Sequence, residues 1–278
     1  MILSLGPAAV GVSVSAWALG FPSLLALAGY GTATLMNERF GNGLRAAWLV
    51  GWVAHALAIL VDIAGIGSEV VAARFGFAPA LSMTVWLVLA VYVVESRFVP
   101  LPGARRALAV LGIVVVALAW MFPGEIRPTA PSRWAPVHWV LGVASYGLFG
   151  AAVLHAAMLN RAERLMRPGA AAKIGASRGM PLLQLERIAF RFVGAGFVVL
   201  SAAIALGVWS ANPWRWDHKA VFSMLAWLVF AGLLAGRHAF GWRGPAATRG
   251  VYAGAALLLL AYVGSRFVLE VLLHRAVG

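Results

Sequence analysis

The stretch FVGAGFVVLSAAIALGVW at residues 192–209 carries no charged side chain. A run of that length and apolarity spans the hydrocarbon core of a bilayer when it is helical. It also cannot be the half-buried face of a soluble helix, since no polar stripe recurs along it. Similar runs, bounded by charges or by Pro and Gly clusters, recur on either side. Together they place candidate helices near 8–36, 46–66, 78–96, 107–122, 136–160, 188–210, 219–236 and 251–273. The expected fold class is therefore all-α: a polytopic integral membrane bundle of about eight transmembrane helices, forming one membrane domain over residues 1–278.

Composition agrees with that reading. Of 278 residues, 62% are hydrophobic and 11% charged, with a mean hydropathy of +0.88. A water-soluble domain needs a larger polar share to cover its surface, so a soluble globular enzyme is excluded. The chain has no Cys, which removes thiol exchange, thiolate metal ligation and covalent haem attachment from its own chemistry. Its net charge of +13 comes from Lys and Arg scattered between apolar spans, where they set topology and meet anionic lipid headgroups. Membrane lipid, and not nucleic acid, is the expected partner of that charge. The N-terminus lacks a basic region followed by a small-residue cleavage site, so the first apolar run is expected to be a retained helix, with Pro22 inside it.

Fifteen of the 22 Lys and Arg fall in the loops after spans one, three, five and seven, and seven on the opposite side. The positive-inside rule then makes the odd loops cytoplasmic and turns both termini outward. The longest connection, 161–187, is Arg-rich; its end from Met180 to Arg187 suggests an interfacial helix leading into span six.

Ionisable groups inside spans are costly, so they mark where function is to be sought. His55 lies midway along span two, and Asp62 seven residues on shares its face. That pair admits two readings: a carboxylate orienting a ligating imidazole or carrying protons, or a His hydrogen-bonded to a neighbouring helix. His138 and His155 share span five at different depths and cannot ligate one ion. His155 reads as interfacial or structural. His274 falls at the far end of span eight, at the membrane level of His138. Two imidazoles at one depth would suit a six-coordinate haem iron, and equally two unrelated interfacial histidines.

The loop between spans six and seven adds Trp209, Trp214, Arg215, Trp216, Asp217, His218 and Lys219. Indoles interleaved with cations form a flat, positively charged surface. It suits a large planar ligand bearing carboxylates, with Arg215 and Lys219 on the acid groups. Six of the twelve Trp (Trp120, Trp134, Trp139, Trp209, Trp214 and Trp216) gather at this level.

The Trp-x-Trp-Asp-x-Lys stretch at 214–219, with Gly241-Trp242-Arg243-Gly244 after the next span, resembles the tryptophan-rich signature of the CcsA/CcmC haem-handling family of cytochrome c assembly, most closely its YpjD-like inner-membrane subgroup. Supporting blocks are His138-Trp139 with Ser145-Tyr146, Met180-Pro181 with Glu186-Arg187, Ala226-Trp227, and Leu260 to Arg266. The likeness covers about residues 45–275. It implies a non-covalent haem b held at the outer face of the inner membrane over Trp214, Trp216 and Asp217. His138 and His274 would be its axial ligands, Arg215 and Lys219 would pair with its propionates, and His55 would be one of two membrane-embedded histidines. It further implies that another cytochrome c assembly membrane protein and apocytochrome c are partners, and that the chain is a haem chaperone or part of a synthase, not a stand-alone enzyme. The sequence departs from the family pattern at His218, Ala220 and Ala235, where a Pro, an acid and the second embedded His are usual. An alternative is a membrane accessory subunit or small permease whose tryptophan loop docks a partner.

Overall fold

A computed structural model describes residues 12–36, 40–66, 74–96, 104–126, 133–166, 181–210 and 216–273. His274, Trp214 and Arg215 lie outside them, as does Met180. The described chain is a set of long helices: α1 (Val12–Leu35), α2 (Gly41–Ile63), α3 (Phe77–Glu95), α4 (Ala104–Met121), α5 (Ala135–Leu165), α6 (Leu182–Ser210), α7 (His218–Phe240) and α8 (Gly244–Leu259). The last continues through two π-helical turns, Leu260–Gly264 and Val268–Leu272, so that a single span runs from Gly244 to Leu272. Among the described residues, eight helices are thus long and apolar enough to cross a membrane, in line with the hydropathy pattern. α1 runs through Pro22 without interruption, and α6 is already helical at Leu182, so 182–187 is the first part of that span.

A helix closes most of its backbone hydrogen bonds internally, as a bilayer requires. Among the described residues, a two-residue antiparallel pairing of Arg74–Phe75 (β1) with Glu125–Ile126 (β2) joins two loops.

The chain divides into two compact units, residues 1–82 with 109–129, and residues 83–108 with 130–278. In the first, α1 and α2 touch backbone to backbone: a Cβ on Gly29 would stand 2.5 Å from the Gly51 nitrogen. Small residues permit that approach, which gains dispersion where no hydrophobic drive exists between helices. In the second unit, α5, α6, α7 and α8 bury a core in which Phe149 and Phe230 stack at 3.8 Å, flanked by Gly196 and Gly254. A Cβ on Gly254 would meet the Phe230 ring at 2.5 Å, so the glycine creates the room that the ring fills.

Candidate functional site

Local sequence signals build the frame of the site. α7 starts at an N-cap: Asp217 is extended and its Oδ1 accepts the Ala220 N–H at 2.8 Å. The Asp of the tryptophan motif thus satisfies an otherwise orphaned helix donor, worth about 1 kcal/mol. It also fixes where Lys219, in the first turn, leaves the helix. At the other end Gly241 adopts φ +65°, with the Gly241 N–H on the Arg237 carbonyl and the Trp242 N–H on that of Gly236. This is the left-handed helix stop that favours glycine. The Gly-Trp-Arg-Gly block is therefore the turn that reverses α7 into α8.

His138 lies one turn into α5, half-buried. Its Nδ1–H donates to the Ala203 carbonyl on α6 at 3.0 Å. A carbonyl only accepts, so the Nδ1 proton is fixed and the lone pair resides on Nε2. A metal-ligating imidazole needs this arrangement. The ring rests against Gly207, where a Cβ would stand 3.0 Å from its Cε1. Trp134 and Trp209 pair beside it at 5.5 Å between centroids, and Arg133 lies over Trp134. Trp216 is exposed.

Lys219 lies 5.4 Å from the Tyr262 ring centroid and Arg266 5.8 Å from it, with Lys219 in the first turn of α7, which follows the α6 end that holds His138. Tyr146 donates its hydroxyl to the Leu258 carbonyl, just before the helix widens. The structure therefore brings His138, Lys219, Tyr262 and Arg266 to one end of the second unit. Tyr262 and Arg266 belonged to a family-like block with no assigned part, and Gly207 had no sequence signal, since its importance is the space it leaves.

His55 sits in the first unit, fully buried. Its Nδ1 is hydrogen-bonded with the Tyr30 hydroxyl (3.2 Å) and its Nε2 with the Ser82 hydroxyl (2.8 Å). Ligation would require one of those bonds to be given up. Asp62 is occupied elsewhere, accepting the Gly124 N–H at 3.4 Å with Arg74 4.0 Å away, and so ties the β1–β2 pairing to α2. His155 is also fully buried. Its Nδ1–H donates to the Ala151 carbonyl (2.8 Å) and its Nε2 is hydrogen-bonded with Glu95 Oε2 (2.9 Å). With both nitrogens engaged, ligation would require one of those bonds to be given up. His218 and His238 are exposed, as is Ala235, where the family places a second embedded His.

A model of the family described as "Cytochrome C assembly protein" matches residues 41–273. The chain belongs to the cytochrome c assembly protein family. Among similar proteins, the inner membrane protein YpjD of Escherichia coli K12 is 32% identical over 58% of this chain and 62% of its own length. An uncharacterised 28.8 kDa protein of Azospirillum brasilense is 33% identical over 53% of this chain and 56% of its own. The cytochrome c biogenesis protein CcsA of Parasynechococcus marenigrum is 24% identical over 66% and 71%. The chain thus spans about six-tenths of the length of the first two relatives. No solved structure matches it.

Proposed function

We propose that this inner-membrane protein holds haem b at its outer face during cytochrome c biogenesis and presents it to apocytochrome c, working with another assembly membrane protein. The single observation that carries the reading is His138. Its Nδ1–H is held by a backbone carbonyl, and its Nε2 keeps the lone pair that iron needs. Bound haem supplies the vinyl groups and iron on which attachment to a cytochrome depends. This chain's own residues bind, orient and cover. His138 and His274 would hold the iron. Trp214 and Trp216 would lie against the ring. Arg215 and Lys219 would pair with the acid groups. Asp217 serves through its cap, by setting the register of Lys219.

The residues present suit a single outer station better than a through-membrane path. His55 is satisfied on both nitrogens, and the usual second embedded His is Ala235. The test is a reduced-minus-oxidised spectrum with a pyridine haemochrome assay on detergent-purified protein, His138→Ala and His274→Ala. The expected result is near-stoichiometric b-type haem that becomes high-spin or is lost in each variant. Haem-free protein from haem-replete cells would transfer support to the accessory-subunit reading, with the tryptophan loop as a docking surface.

A further inference from the structure

Arg266 is a cation inside the last span, with its side chain 11% exposed. Such a residue is expensive in a membrane and is kept where it has an anion to meet. Its Nη1 is buried and makes no hydrogen bond. The Glu270 carboxylate, one turn further on, approaches it to 3.7 Å, an ion pair beyond hydrogen-bond length. A guanidinium offers five donors in a planar fork that fits a carboxylate or phosphate two bonds at a time, and this pairing leaves that capacity unused. Lys219 reaches the same Tyr262 ring from α7, so two cations from different helices converge on one aromatic side chain, and Lys219 stands in the first turn of α7, which follows the α6 end that holds His138. The helix is π-wound at Tyr262 and again from Val268, with Arg266 in the α turn between, a geometry common at functional sites, and Tyr146 takes up the Leu258 carbonyl just before the winding first changes.

We infer that Arg266 and Lys219, on either side of their contact with Tyr262 in sequence, form an anion clasp for an acid group of the ligand held at His138, and that Glu270 occupies Arg266 until that acid group arrives. The inference rests on the haem reading for its ligand, a haem propionate. The same chemistry would hold the phosphate of a lipid headgroup, and the two sources separate experimentally.

The full chain in detergent is titrated with haem and with haem dimethyl ester, whose acid groups are capped, and read by absorbance. Arg266→Gln is expected to weaken haem about tenfold or more, the loss of a charge-assisted bond, while leaving the ester within about twofold. Glu270→Gln, which retains Arg266, is expected to tighten haem and not the ester. Should Arg266→Gln fail to fold, Arg266→Lys replaces it, with a smaller loss on haem alone. The clasp is overturned if Arg266→Gln weakens haem and ester equally, or neither. It is overturned in favour of a lipid if haem titrations are unchanged while co-purified anionic phospholipid, counted by mass spectrometry, falls in Arg266→Gln. Wild-type protein that binds neither haem nor ester defeats the haem reading itself, a result distinct from either of these.

Discussion

Tyr146 on α5 donates its hydroxyl to the backbone carbonyl of Leu258 on α8, two residues before that helix relaxes from α to π winding. Widening a helix displaces carbonyls from their usual i→i−4 partners, and inside a membrane a displaced carbonyl has no water to turn to. A side chain on a neighbouring helix supplies the donor. Tyr146→Phe should therefore cost about 1 kcal/mol of stability, read as a lowered midpoint in SDS or thermal unfolding, and loosen the segment that carries Tyr262 and Arg266. An unchanged midpoint would mean the carbonyl finds another donor.

Gly207 sets the position of His138 by the space it leaves. Gly207→Ala places a Cβ 3.0 Å from the ring's Cε1, so either the ring tilts or α6 retreats. The expected outcome is an altered spin state of bound haem with helix content unchanged. Gly194→Ala on the same helix, where nothing lies within 4 Å, is the matched control and should leave the spectrum as it is. Equal spectra for both would remove Gly207 from the site.

Asp217 is spent on its cap, which an uncharged oxygen can also make. Asp217→Asn should keep haem affinity and stability near wild type, whereas Asp217→Ala should lose about 1 kcal/mol. Haem titration and unfolding on the two variants decide the matter: a loss of haem in Asp217→Asn with stability intact would assign the carboxylate to the ligand.

The His155–Glu95 pair joins α5 to α3 within the second unit at 2.9 Å, with the imidazole fully buried. Glu95→Gln alone should destabilise by about 1–3 kcal/mol, because it removes the carboxylate from a fully buried imidazole, and His155→Phe by less, because the Glu95 it leaves is 21% exposed. The double variant should cost less than the sum. A double-mutant cycle that proves additive would mean the two side chains do not couple.

The number of spans was legible from hydropathy alone, because a bilayer imposes a minimum apolar length, whereas their ends were less so: α6 starts at Leu182 and α8 at Gly244, ahead of the expected 188 and 251. Family membership was legible too, from the tryptophan motif and the glycine turn. The motif's Asp carried an N-cap signature, an acid directly before an apolar helix, that explains its placement without a ligand. Helices apolar nearly all round, however, give no rotational information. Only the tertiary structure decided that His55 meets Tyr30 and Ser82 and not Asp62, and that His155 is locked to Glu95. The tautomer of His138 was likewise out of reach of the sequence, since it depends on a backbone carbonyl on another helix, and every residue has one. The sequence determined what crosses the membrane; the packing of helices determined which nitrogen of His138 is left to bind.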